Sequence, residues 1–135
     1  MSLSKENLNK INFSILEKFD YCWIAGGAIS NVLQGNQVSD IDIFFPNEKS
    51  RQAAVKKIIY MGAKKIESHP LSDKFELNGK TYDLTHAGRT PEETITNFDW
   101  TICCAAIDSK SNFYCHEQFF EHTGIKKLHF IELRK

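Results

Sequence analysis

The chain has 135 residues, 41% of them hydrophobic and 25% charged, and its 17 basic and 17 acidic side chains leave a formal net charge of zero. One soluble domain with its own core is the expectation at that length. A neutral chain argues against a tight nucleic-acid binder built on a basic excess, although it leaves room for a local basic patch.

No apolar run approaches the roughly 18–20 residues of a membrane span, and the start of the chain has no signal-peptide pattern. The expectation is a cytoplasmic protein with no membrane partner. The four cysteines, Cys22, Cys103, Cys104 and Cys115, show no Cys-x-x-Cys spacing. Three lie in apolar runs and read as buried, reduced thiols. His116, His122 and His129 near Cys115 fit no zinc-ligand spacing.

In chain order, Leu8, Ile11, Ile15, Leu16 and Phe19 recur at helical spacing, which predicts a packing helix over 4–19 with Ser4 as N-cap. Residues 21–25, nearly all apolar, predict a central strand containing Trp23 as a core residue. Gly26–Gly27 end it, and a short helix over 28–34 closes at Gly35. A second strand over 40–45 stops at Pro46. It opens with Asp40 and Asp42, whose side chains share one strand face about 6.5–7 Å apart, while Ile41 and Ile43 face the core. Two like charges on a strand rim repel and lose hydration. A divalent cation between them supplies a reason for both, and the paired glycines expose backbone N–H groups to a phosphate at a helix start. The bland alternative is a pair of loop-end residues, one of them capping a turn.

Asn47 is the expected cap of a helix over 48–61 with Ala54, Val55, Ile58, Ile59 and Met61 on its apolar face. Lys49, Arg51, Lys56 and Lys57 occupy the remainder. That basic stretch is either a solvated face or a surface for a polyanion. Residues 63–68 suggest a strand, and Asn78–Gly79 marks a two-residue hairpin turn. In that register Leu77 faces Lys80, Phe75 faces Tyr82 and Lys74 faces Asp83. Phe75, Leu77, Tyr82 and Leu84 share one side; Lys74, Glu76, Thr81, Asp83 and Thr85 share the other. Thr90 and Pro91 begin a helix ending near Phe98. The run from Asp99 to Ile107 reads equally as helix or strand. A turn follows over 108–112, then a strand over 113–115, a short helix over 116–123 and a last strand from Lys127.

Gly26-Gly27-Ala28-Ile29-Ser30-Asn31, then Asp40-Ile41-Asp42, then Tyr82-Asp83-Leu84-Thr85, then Asn97 to Ala105, follow one another in an order that resembles the DNA polymerase beta-like nucleotidyltransferases. The similarity is greatest to the catalytic head of tRNA CCA-adding enzymes and bacterial poly(A) polymerases, and it covers the chain from about Tyr21 onward. The resemblance implies an α/β (α+β) head fold, a mixed β-sheet flanked by helices, as a single domain over 1–135. It implies two Mg²⁺ (or Mn²⁺) ions on Asp40, Asp42 and Asp83, and an NTP held at Gly26, Gly27, Ser30 and Asp99. Asp99 equally reads as a helix cap at Trp100.

The branch carries Arg-Asp after its glycines and paired arginines later. Here Ser30–Asn31 and Asn97–Phe98 stand in those places, leaving Lys74, Lys80 and Arg89 as candidate cations for a triphosphate. The resemblance implies a chain that stops where such a head stops, without the helical neck, body and tail of a complete CCA-adding enzyme. The implied activity is a minimal nucleotidyltransferase moving NMP from NTP to a hydroxyl, most readily an RNA 3′ end and otherwise a protein or small molecule. The rival readings are a nucleotide-binding or regulatory module without turnover, and a subunit whose protein partner supplies RNA binding.

Overall fold

The computed structural model describes residues 13–26, 28–29, 40–86, 90–96, 105–110 and 112–115. A 3-10 turn, Phe13–Lys18, precedes strands β1 (Trp23–Ala25) and β2 (Asp40–Phe44), helix α1 (Glu48–Tyr60), and strands β3 (Lys64–His69), β4 (Ser72–Leu77) and β5 (Lys80–Thr85). Helix α2 (Pro91–Thr96) and strands β6 (Ala105–Asp108) and β7 (Phe113–Cys115) follow. The strands form one mixed sheet in the order β3-β4-β5-β2-β1-β6-β7. Among these pairings only β2–β5 is parallel. The crossover between its two strands carries α1 and the β3–β4 ladder.

Alternation along the strands divides the sheet into two faces. Ile24, Ile41, Ile43, Phe75, Leu77, Tyr82, Leu84, Ala105 and Ile107 form the main core with Ile15 and Leu16 of the 3-10 turn and Ala54, Val55 and Ile58 of α1. Trp23, Ala25, Phe44 and Ala106 build a smaller cluster on the opposite face, against Tyr21, Ile95 and Tyr114. Trp23 is therefore a core residue, and its indole N–H donates to Thr94 Oγ1 at 3.0 Å, tying α2 to that face.

The local signals act as expected at several points. Asn47 accepts from the Ser50 N–H at 2.8 Å as the N-cap of α1, and Thr90 accepts from the Glu93 N–H at 3.1 Å. Asn78 and Gly79 both take positive φ, 52° and 81°, as a type I′ turn demands. All three expected hairpin pairs form.

Other expectations need correction. The first helical segment is a 3-10 turn over its described part, Phe13–Lys18, with Ile15, Leu16 and Phe19 in the main core. The first two strands are shorter than expected, at Trp23–Ala25 and Asp40–Phe44. Ile59 and Met61 are exposed rather than on the buried stripe of α1. No helix among the described residues is long and apolar enough to cross a membrane. Of the expected helix over 28–34 only residues 28–29 are described; its remainder, Trp100, Cys103, Cys104, the elements beyond residue 115 and the three late histidines lie outside the described residues.

Arg51 is the largest departure. Expected on a basic face, either solvated or open to a polyanion, it is 1% exposed. Its guanidinium donates from Nε and Nη2 to the two Glu48 oxygens at 2.6 Å each, and from Nη1 to Asp73 Oδ2 at 2.8 Å. Ser68 Oγ donates to the other Asp73 oxygen at 2.7 Å. The Arg51 hydrogen bonds hold Glu48 down at about 2. For Asp73, burial pushes the carboxyl upward, but hydrogen bonds from Ser68 and Arg51 outweigh it and the net shift is downward.

At the far end of the sheet, Asp108 plays a comparable part. It accepts from the hydroxyls of Tyr21 and Tyr114, the Asn112 side chain and the N–H groups of Lys110 and Asn112. Cys22 is buried, and that burial, with help from Asp108 and Asp20, pushes its thiol up to about 12.

Removing one member of a buried ion pair strands the other, which costs about 3–5 kcal/mol. Arg51→Ala is therefore expected to lower the unfolding free energy by about that much in urea titration at neutral pH. A loss below about 1 kcal/mol, the range of an exposed pair, would contradict the clamp.

Candidate active site

The acid residues occupy the face that carries the smaller apolar cluster. Sheet register joins Lys74, Asp83, Asp42, Ala25, Ala106 and Tyr114 into one row running from β4 to β7. In the adjacent row Asp40 pairs with Thr81. The main core dictates this orientation. On β2, Ile41 and Ile43 are buried while Asp40 and Asp42 are exposed. A one-residue slip would reverse all four, forfeiting roughly 1.5–3 kcal/mol for each isoleucine and burying both carboxylates.

Asp42 is the perturbed group. Desolvation first, then the Asp83 charge, with a smaller push from Asp40, raises its carboxyl to about 6, against a pull downward from Lys74. The carboxyl keeps solvent contact, yet neighbouring protein and like charges make its anion costly. Asp83, half-buried, accepts a hydrogen bond from the Ser72 hydroxyl on β4.

Lys74 and Lys80 lie on opposite sides of the sheet. Lys80 alternates with Tyr82 and Leu84, which belong to the main core. Period-two geometry thus directs it to the core side of the sheet, away from the acid face. Lys74 lies directly across from Asp83 and acts electrostatically on Asp42.

Gly26 has φ 93°, which an L side chain rarely adopts. Its N–H donates to the Ala105 carbonyl at 3.3 Å, and its carbonyl accepts from Ile29 N–H at 3.2 Å. The expectation of a bare N–H at Gly26 is corrected accordingly: that donor already links β1 to β6. Gly27, Ser30, Arg89 and Asp99 lie outside the described residues.

The donor set suits a hard divalent cation, because carboxylate oxygens are the ligands that Mg²⁺ and Mn²⁺ prefer. Desolvation and then the like charges of Asp83 and Asp40 raise Asp42, and a bound cation would offset both. Among the described residues, no three His, Cys, Asp or Glu side chains stand ready-gathered around a metal position. Asp83 is directed to Ser72 instead. Ser72 was missed in the sequence; its only signal there is its place diagonal to Asp83 in the hairpin register.

A carboxyl whose folded-state pKa is raised binds its proton more tightly in the folded chain. Its contribution is fully present below the unfolded value near 4 and is lost as pH rises through about 6. Without divalent metal, Asp42→Asn is expected to be more stable than the parent at pH 7.5 by about 1 kcal/mol, the full shift being discounted for solvent contact. The difference should close below pH 4 in urea titrations. A gap of the same size at both pH values would contradict the assigned repulsion.

The described fold is that of nucleotidyltransferase heads. It superimposes on a tRNA-processing enzyme (apo form I) with TM-score 0.72 and 16% identity, covering 90% of this chain and 36% of that one. For the Thermotoga maritima CCA-adding enzyme complexed with tRNA the TM-score is 0.70 at 19% identity, covering 96% and 35%. For a CCA-adding enzyme with CTP it is 0.72 at 18%, covering 96% and 36%. In sequence, the chain is 26% identical over 110 residues to Gabija anti-defense 2 of Bacillus phage SPbetaL7, covering 79% of this chain and 28% of that protein. It thus spans little more than a quarter of that relative and about a third of those structures. The family described as Gabija anti-defense 2 family protein matches residues 2–126, and the chain belongs to that family.

Proposed function

We propose that the face bearing Asp40, Asp42 and Asp83 is a nucleotidyl-transfer centre serving an anti-defense protein. The observation that carries this reading is the parallel β2–β5 register. It sets Asp42 beside Asp83, with Asp40 one row away, in a fold shared with CCA-adding enzymes solved with CTP and with ATP. The substrates are an NTP and a hydroxyl acceptor. An RNA 3′ end is the favoured acceptor, with protein and small-molecule hydroxyls as alternatives.

Asp40, Asp42 and Asp83 would hold Mg²⁺ or Mn²⁺, which when bound lowers the pKa of an acceptor hydroxyl and stabilises charge on the leaving pyrophosphate. Lys74 supplies positive charge at the edge of the acid row for the anionic substrate. The main core beneath β2 and β5 fixes the carboxylates on one face before substrate arrives. In the transfer, the acceptor oxygen forms a bond to the α-phosphorus and the bond from that phosphorus to the bridging oxygen of the β-phosphate breaks. Pyrophosphate leaves with that electron pair, and the hydroxyl proton passes to solvent.

A second reading has a specific observation behind it. Ser30–Asn31 and Asn97–Phe98 replace the arginines of the resembling enzymes, and the Gly26 N–H is already engaged. This suits a domain that binds nucleotide and regulates a protein partner without turnover. Incubation with α-labelled NTPs, Mg²⁺ or Mn²⁺ and RNA or whole-cell acceptors separates the two. The expected result is label transfer that falls at least 100-fold in Asp42→Ala, consistent with loss of a metal ligand (on the order of 3 kcal/mol). Metal-dependent NTP binding with no transfer to any acceptor would favour the regulatory reading.

A further inference from the structure

We infer that Ser72 is a positioning residue for Asp83, holding that carboxylate in the place from which it serves a divalent cation. The inference rests on the reading of Asp40, Asp42 and Asp83 as the cation-binding set. The Ser72 hydroxyl donates to Asp83 Oδ1. That leaves the second carboxylate oxygen for a ligand, and an oxygen that accepts one hydrogen bond retains a further lone pair.

The donor is itself fixed by its neighbours. Ser72 pairs with His69 across the short Pro70–Leu71 turn and with Thr85 on β5. The next residue, Asp73, points to the other face, where Arg51 and Ser68 hold both its oxygens. Arg51 and Asp73 are both buried, so the backbone at 72–73 is clamped from the core side. Strand alternation then carries the Ser72 hydroxyl to the acid face. A loose Asp83 beside Asp42 would turn away from its like-charged neighbour. The Ser72 hydrogen bond opposes that rotation, the role that outer partners of metal-ligating carboxylates perform, with losses of about 10–100-fold in affinity when they are removed.

Binding of Mn²⁺ alone, followed by electron paramagnetic resonance of the free ion, tests this on the parent, Asp42→Asn, Ser72→Ala, Ser72→Cys and Ser72→Thr. Urea midpoints are recorded for each. The expected pattern is binding by the parent, its loss in Asp42→Asn, and an affinity about tenfold weaker in Ser72→Ala. Ser72→Cys, close in shape but a weak donor, should resemble Ser72→Ala, and Ser72→Thr should restore binding, all at similar urea midpoints. If Ser72→Ala and Ser72→Cys bind as tightly as the parent while Asp42→Asn does not bind, the Ser72 inference falls and the cation site stands. Absence of binding by the parent, or equal binding by Asp42→Asn, removes the cation-site reading and the inference with it.

Discussion

The parallel pairing of β2 with β5 is the constraint on which the rest of the structure depends. It aligns Asp42 with Asp83 and Ile43 with Leu84 in one register. The same alternation that seats two isoleucines, a tyrosine and a leucine in the core leaves three carboxylates on the other face. Burial of the apolar partners stabilises the arrangement and the repulsion around Asp42 opposes it. The first term is larger: the four apolar side chains contribute roughly 6–12 kcal/mol against exposure, whereas a carboxyl shifted from its ordinary value to about 6 and partly solvated costs far less. The fold therefore sustains an unfavourable acid cluster that a neutral substitution would relieve. Tension of that kind marks functional sites.

The crossover between those strands does more than connect them. Helix α1 carries Arg51 into the core, where it joins Glu48 on its own helix to Asp73 on β4. This fixes β4 against β5 from the buried side. On the open side, β4 presents Ser72 to Asp83 and Lys74 to the Asp42–Asp83 pair. A chain of local contacts thus runs from the core to the acid face through two successive residues of one strand. Trp23, Thr94 and the Asp108 cluster perform the corresponding anchoring at the other end of the sheet.

Much of this was legible in the sequence, because the signals were local. Asn47, Thr90 and Asn78–Gly79 declare their caps and turn through side-chain and φ preferences that act over a few residues. The hairpin turn alone sets the register that places Asp83 on a polar face. The exclusion of Lys80 from that face was legible too, since it follows from period two once the register is set. What escaped were partnerships between distant segments. Arg51 has helix-surface company in sequence, and nothing local shows that Asp73, 22 residues on, meets its guanidinium in the core. The Tyr21–Asp108 bond spans 87 residues. The Gly26 N–H reads as free until β6 is seen beside it. Ser72 resembles any turn-proximal serine until the β4–β5 ladder brings it diagonally to Asp83.

Family membership and fold point in complementary directions: a phage relative named for anti-defense, and an architecture shared with enzymes solved with CTP, ATP and tRNA. The proposed nucleotide chemistry on the acid face joins them. Anomalous diffraction from crystals soaked with Mn²⁺ and a non-hydrolysable NTP analogue tests that claim most directly. The account predicts manganese density bounded by Asp40, Asp42 and Asp83, with the triphosphate reaching toward Lys74. Manganese and nucleotide bound elsewhere, with those three carboxylates left uncoordinated, would contradict it.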